Sequence, residues 1–413
     1  MKNIKNALRL RERFSGMIAG DAGRLLLGNG AAQAIAFAGM AGISRMYNAG
    51  AIGQWSTCVA FVTFVWSFSQ LRTDMSLMQE RNVAEKRRLL RLGLFAHLMF
   101  SAIAWGIAYG FGLFSERNNL LVFSVLASHG VQQMAVAWQL SERAYRQVNR
   151  LRIAGMLIAY PGSLILYFLS GEQGLLWALL AGNLLPALLW VKTGSVQDAS
   201  LPSGNWRQLI RKHLPSMSYL SMGNFLLSLS EQGMILLISA YYAPVYTAAF
   251  FMAARVCNLP LSFIQSAMSQ YNLRHFQDLH DTAKFSTGVV WVYWKKWLPA
   301  GLAFFLPVLL FGPELFRLIF GAEWTEAGQF ARLLAVVALF RFLSSPTSMG
   351  FFVLGKQRLF FGFTLLFTLV FGITVLLAAQ GMALYTLITV NVSMQVLCII
   401  AYNGVMLRQI GLR

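Results

Sequence analysis

The sequence predicts an all-α polytopic membrane protein, with about twelve transmembrane helices in two six-helix lobes and both termini in the cytoplasm. Three observations predict it. Of the 413 residues, 57% are hydrophobic and only 12% charged, where a soluble globular domain carries about 25% charged residues. Apolar stretches of ~20 residues, enough to cross a bilayer core, recur along the whole chain. The basic residues concentrate in alternate connections between those stretches. The short alternating segments of a transmembrane β-barrel do not occur.

The elements follow in chain order. Residues 1–22 read as a basic amphipathic segment suited to an anionic membrane face. Their apolar stretches are too short and too broken by charge for a cleavable signal peptide. Six spans are expected at 23–46, 50–71, 92–114, 119–140, 151–170 and 173–191, making an N-lobe over 23–191. A cytoplasmic linker follows at 192–214. Six more spans, at 215–240, 245–270, 291–312, 328–350, 359–379 and 382–407, make a C-lobe over 215–413. Small residues at 28–42 let helices approach closely. Pro161, Pro186, Pro260, Pro307 and Pro346 fall inside spans, where each removes a helix hydrogen bond and favours a kink.

Charge sets the orientation. Of the 34 Lys and Arg, 28 fall at the termini or in alternate connections, while the opposite connections hold only Arg45, Arg117 and Arg317. The positive-inside rule therefore places both termini in the cytoplasm. The net charge of +19 lies in short loops rather than on a soluble domain, so it argues for topology and against nucleic acid. Cys58, Cys257 and Cys398 sit in apolar runs and read as small apolar filler, not as a disulfide framework or a metal site. No metal and no organic cofactor is expected. The longest cytoplasmic connections, 72–91, 192–214 and 271–290, leave no room for a soluble catalytic domain, and an enzyme is not expected.

The charges within spans carry the functional signal. In SLSEQGMILLISAYYAPVYTAAFFMAARVCNLP, Glu231 lies 12 residues before the turn near residue 243 and Arg255 lies 12 after it. In an antiparallel hairpin both then sit ~18 Å below the outer turn, near the bilayer midplane. A single charge there costs ~2.5–3.5 kcal/mol on insertion scales. The two either pair with each other or face a shared wet cavity. Arg341 lies at mid-depth in the tenth span. Arg332, nearer that helix's outer end, can snorkel. Arg255 and Arg341 together would make a cationic centre suited to phosphate, whose oxygens a planar guanidinium can bind in pairs. Arg24 and Asp74, at equal depth in the first hairpin, read as a mouth pair with Asp21 and Arg72 nearby. His97 and His129 read as hydrogen-bonded packing residues rather than proton relays.

A faint repeat supports two related halves. Ser44 and Tyr47 of SRMYNAGAIGQW match Ser239 and Tyr242 of SAYYAPVYTAAF at an offset of 195 residues, as expected for six-helix repeats related by an axis along the membrane normal.

Three stretches carry a family resemblance. ISRMYNAGAIGQWS (43–56), with Arg45, Gly53 and Trp55, resembles the first-hairpin signature of Wzx-type polysaccharide flippases of the MOP exporter superfamily. FRLIFGAEWTEAG (316–328), with Phe320, Gly321, Trp324, Ala327 and Gly328, is similar to that family's segment before the tenth span. The seventh and eighth spans, ending RVCNLPLSFIQSAMSQ with Leu259-Pro260, look like its second-half hairpin. The resemblance covers essentially the whole chain. It implies a MOP/MATE-like carrier that moves an undecaprenyl-diphosphate-linked oligosaccharide from the cytoplasmic to the periplasmic leaflet of a bacterial inner membrane. The unit feeds O-antigen, capsule or exopolysaccharide assembly, with the polysaccharide polymerase and chain-length regulator as implied partners beside the lipid bilayer. It also implies antiport against H+ or Na+, for which Glu231 is the natural site. Arg255, Arg341 and Arg24 are the candidate substrate contacts, and Glu231 and Asp74 the candidate ion-coupling or charge-pair residues. Other cargo on the same fold, lipid II or cationic drugs, stays open; a drug exporter would prefer carboxylates where this chain has arginines. A membrane polysaccharide polymerase would need a larger outer loop than 313–327.

Overall fold

A computed structural model describes residues 21–192, 206–282, 286–348 and 350–411, and all regular structure among them is helical. The basic segment 1–20 and most of the linker lie outside the described residues. The helices are α1 (Asp21–Met46), α2 (Ala49–Ser69), a short α3 (Thr73–Gln79), α4 (Val83–Gly110), α5 (Glu116–Ser141), α6 (Tyr145–Ala159), α7 (Pro161–Ser170) and α8 (Gly174–Lys192). There follow α9 (Trp206–Tyr241), α10 (Pro244–Asp281), α11 (Thr287–Phe320), α12 (Thr325–Ser348), a short α13 (Gly350–Val353), α14 (Gln357–Ala379) and α15 (Leu384–Gly411). Each of the twelve expected spans lies mostly in one of these helices or, for 151–170, in the pair α6–α7; the spans 50–71 and 92–114 overrun the ends of α2 and α4 by two and four residues.

Among the described residues, nine helical stretches are long and apolar enough to cross a membrane, and one of them, Tyr145–Val191, has 47 residues and suffices for two crossings. The helices α9 and α10, with 36 and 38 residues, are each longer than a ~30 Å core requires.

Proline explains two departures from straight helices. Pro161 opens α7 after Tyr160 leaves ideal helix geometry at φ −98° and ψ −68°, and proline is tolerated at a helix's first position. The expected outer loop 313–327 is instead mostly helix, because α11 runs to Phe320. The chain kinks at Phe311 (φ −120°, ψ 25°), so Pro313 sits in the first turn of the resumed helix, where proline is tolerated. Leu309 then lacks an N–H four residues on, and Arg332 Nε donates to its carbonyl oxygen at 2.9 Å. Arg332 is thereby committed to a backbone repair rather than to snorkelling.

The described residues form two compact units that draw on both halves of the chain. The first comprises the described parts of Met1–Ile43, Ser69–Gly110 and Ser115–Leu220. Its core includes Leu77, Leu90, Met134, Trp138, Val148 and Trp190. α6 and α8 meet at Gly155 and Gly182, where a methyl on either glycine would run into the other's carbonyl oxygen, so small residues set the helix spacing.

The second unit comprises Ser44–Phe68, Phe111–Phe114 and the described parts of Ser221–Arg413. One of its clusters packs Phe351, Leu354, Tyr402, Met406 and Ile410. The two repeat-related turns meet within this unit. Thr57 Oγ1 donates to Ser239 Oγ at 2.8 Å, Trp55 stacks edge-on against Phe251 at 5.4 Å, and Gly53 leaves room for the Pro244 carbonyl.

Candidate functional site

Arg341, a candidate from sequence, lies on α12 and is half-buried. Its Nη2 donates to Gln395 Oε1 on α15 at 2.9 Å. Gln395 Nε2 donates to Asn391 Oδ1 at 2.6 Å, and Asn391 Nδ2 donates to Thr374 Oγ1 on α14 at 2.9 Å. The Thr374 hydroxyl closes the chain by donating to Val370 O at 2.8 Å. Sequence reading missed Gln395, Asn391 and Thr374. The signal was there: amides four residues apart, 391 and 395, place one polar stripe on an apolar helix. Asn403, on the same helix, donates to Ser344 Oγ, three residues beyond Arg341 on α12.

One hydrogen bond engages one of the five guanidinium N–H donors. Among the described residues no other partner holds the remaining four. Arg332 likewise shows one bond, from Nε to Leu309 O, and Arg45 Nη2 donates to Leu318 O and Ile319 O at 3.2 and 3.1 Å and caps the carbonyl end of α11. Arg341 differs from both in being held by a side-chain amide rather than by main-chain carbonyls.

Glu231 lies on α9, which packs on α14 through Thr368 Oγ1 donating to Leu226 O at 3.3 Å. Gly233 there leaves space for the Phe371 ring. The Glu231 side chain is exposed rather than packed in a core. Equal depth with Arg255 does not produce a pair: among the described residues Glu231 makes no ion pair with Arg255. The positive charge of Arg341 lies near enough to bear on Glu231. Arg255 is half-buried on α10, and α10 and α12 pack against each other, partly through Cys257 Sγ, which lies 3.6 Å from Ala331 O.

The mouth residues also regroup. Asp74 pairs with Arg72 Nε at 3.2 Å, not with Arg24. Leu71 and Arg72 take left-handed backbone, φ 50° and 53°, and this tight turn ahead of α3 brings residue 72 back over residue 74. Arg24 is exposed, and its main-chain oxygen accepts from Asn149 Nδ2 at 2.7 Å. The Asp21 side chain lies outside the described residues.

Two groups are structural. His97 is fully buried, with Leu126 O 2.9 Å from Nε2 and Ser69 Oγ 2.7 Å from Nδ1. A neutral ring that donates through Nε2 and accepts at Nδ1 satisfies both. His129 Nδ1 lies 3.2 Å from Asn183 Oδ1.

A charge cluster that sequence reading missed joins the start of α9 to the connection before α4. Lys212 Nζ lies 2.7 Å from Glu80 Oε2 and 2.6 Å from Glu85 Oε2. His213 Nε2 lies 3.8 Å from Glu80 Oε2. The ligand atoms of Glu80, Glu85 and His213 fall within 4.8 Å of one another, close enough to hold a metal ion, but the Lys212 ammonium already bridges both carboxylates. Lys212 is the main reason the Glu80 carboxyl is held down at about 2.

No protein-family model and no curated protein matches this chain. The fold is similar to that of several solved membrane transporters, one of them described as of the MOP superfamily. That one is an inward-facing multidrug resistance MATE family transporter of the MOP superfamily, with TM-score 0.69 and 14% identity over 94% of each chain. The fold is similar also to the lipid II flippase MurJ in an inward closed conformation, with TM-score 0.70 and 11% identity over 92% of this chain and 87% of that one. A MATE transporter in complex with MaL6 aligns at TM-score 0.58 and 15% identity over 95% and 96% of the two chains.

Proposed function

We propose that this protein is a Wzx-type flippase of the bacterial inner membrane. It moves an undecaprenyl-diphosphate-linked oligosaccharide repeat unit from the cytoplasmic to the periplasmic leaflet, for O-antigen, capsule or exopolysaccharide assembly. Transport proceeds by alternating access and draws on a gradient of H+ or Na+ through Glu231. The polysaccharide polymerase and chain-length regulator act next on its product.

The observation that carries this reading is Arg341. It is a mid-span guanidinium, fixed by one neutral acceptor, with four donors left for a ligand. An unneutralised arginine within the bilayer is costly, and a diphosphate is the ligand that best returns that cost, accepting two parallel charge-assisted bonds. Arg255 adds a second positive charge on the adjoining helix α10. Glu231, exposed and near the charge of Arg341, is the carboxylate whose charge state can respond both to a cation and to the cargo. Arg24, at the membrane edge, would meet the headgroup on entry. Asp74 is bound to Arg72 and would act in the mouth rather than on the cargo.

Lipid II is the second reading of the cargo, favoured by the likeness to the MurJ fold; it too is a polyprenyl diphosphate. Deleting the gene and isolating lipid-linked intermediates tests both. The account expects oligosaccharide-diphosphate-lipid to accumulate on the cytoplasmic leaflet. Accumulated lipid II would instead give the second cargo. Intermediates that reach the periplasm but stay unpolymerised would sink the flippase reading and leave a polymerase.

A further inference from the structure

The chain that ends on Arg341 has a direction, and the direction has a use. The Thr374 hydroxyl has one proton, and it goes to Val370 O at 2.8 Å. Its oxygen is left as an acceptor, which fixes Asn391 with its Nδ2 toward Thr374 at 2.9 Å. The Asn391 oxygen must then face Gln395 Nε2, at 2.6 Å. Gln395 in turn presents its oxygen to Arg341 Nη2, at 2.9 Å. Turning over either amide would set donor against donor. Thr374 and Asn391 are 1% and 4% exposed, so water cannot repair such a mismatch, and a buried unmade bond is costly.

From this we infer that Thr374, Asn391 and Gln395 are positioning residues that aim the Arg341 guanidinium at an anionic headgroup while leaving its charge intact. The inference rests on the reading of Arg341 as a diphosphate contact. A carboxylate in place of Gln395 would hold the guanidinium as firmly but cancel its charge. An amide oxygen holds it without adding a second carboxylate to that of Glu231, so more of its positive charge is left for the ligand. The chain spans α12, α14 and α15, so the fork is referenced to three helices rather than to its own flexible stem. Bidentate binding depends on that orientation as much as on charge.

The test uses the purified full-length protein in detergent micelles. Undecaprenyl diphosphate is the probe and undecaprenol the neutral control. Arg341→Ala is expected to weaken diphosphate binding about tenfold or more, the scale of a charged hydrogen bond. Gln395→Leu removes the hold and Gln395→Glu cancels the charge, and each is expected to weaken it about three- to tenfold. Thr374→Val keeps shape but cuts the far end of the chain, for a loss of about threefold, and Thr374→Ser restores wild-type affinity. Undecaprenol binding stays unchanged throughout.

If Thr374→Val and Gln395→Leu bind diphosphate like the wild type while Arg341→Ala does not, the positioning role is wrong and the reading of Arg341 stands. If Arg341→Ala itself binds like the wild type, that reading fails and the positioning role falls with it. A parallel loss of undecaprenol binding would make the chain a packing element only, and overturn the inference.

Discussion

Trp324 Nε1 donates to the main-chain oxygen of Ser44 at 2.9 Å, across 280 residues of sequence. The bond is answered by Ser44 Oγ, which donates to Phe320 O at 3.0 Å. Ser44 lies in the last turn of α1, where carbonyls lack helical donors. Two of the three stretches that carried the family resemblance, 43–56 and 316–328, are thus one structural joint, and they interlock through helix ends. Trp324→Phe keeps the ring but removes the donor, leaving a buried acceptor unpaired. It should cost about 1–3 kcal/mol, read as a lower thermal midpoint in detergent. An unchanged midpoint would mean the joint contributes nothing to stability.

Gly53, in the first of those stretches, makes a separate close approach, to Pro244 at the start of α10. A methyl there would strike the Pro244 carbonyl oxygen, which is backbone and cannot yield cheaply. Gly53→Ala should sharply reduce folded protein. Gly106→Ala, where nothing lies within 4 Å of an added methyl, should be neutral or slightly stabilising. Size-exclusion profiles of the two variants compare them directly, and equal yields would contradict the close approach.

Arg332 and Arg341 lie on one helix and should separate cleanly. Arg332→Met strips the Leu309 carbonyl of its donor and should lower stability by about 1–2 kcal/mol, while transport per folded molecule persists. Arg341→Ala should do the reverse, sparing the thermal midpoint and abolishing transport. Both variants failing in the same way would remove the distinction between a kink repair and a ligand contact.

The cluster around Lys212 predicts an acid response. The hydrogen bond from Lys212 is the main cause that holds Glu80 at about 2 rather than 4.5; burial opposes it, and the main-chain N–H groups of Asn82 and Arg81 add to it. A carboxyl lowered by folding stabilises the fold above its unfolded value, and that contribution fades as pH falls from 4.5 toward 2. His213 lies below its ordinary 6.5, chiefly through burial and then the Lys212 charge, so protonating it below that value also destabilises the fold. Lys212 is raised by the two carboxylates and stays charged throughout. Thermal midpoints should fall as pH drops from 6.5 to 2, and Lys212→Met should flatten the part below 4.5. If that variant titrates like the wild type, Lys212 is not what holds Glu80.

The positions of the helices were legible in the sequence; azimuth was not. Hydropathy places the apolar stretches, and every expected span lies mostly in helix. Equal depth suggested Glu231 with Arg255 and Arg24 with Asp74, yet the structure brings the charge of Arg341 near Glu231 and sets Arg72 on Asp74. The first depends on how α9 and α12 are turned about their axes. The second depends on two left-handed residues that no composition signals. Gln395, Asn391 and Thr374 went unread because an amide or hydroxyl in an apolar helix usually bonds its own backbone, as Thr364 does to Phe360 O. Arg332 read as a snorkelling side chain because Pro313 marks the Leu309 carbonyl as lacking a donor but nothing in the sequence says that Arg332 supplies it.

The most direct measurement of the central claim is flipping by the purified protein. Proteoliposomes would carry undecaprenyl-diphosphate oligosaccharide, with a membrane-impermeant glycosidase outside. The account predicts that wild-type protein exposes the lumenal half of the glycan to the enzyme, that Arg341→Ala leaves it protected as in protein-free vesicles, and that Arg332→Met still exposes it. Wild-type vesicles as protected as empty ones, under gradients of either H+ or Na+, would contradict it.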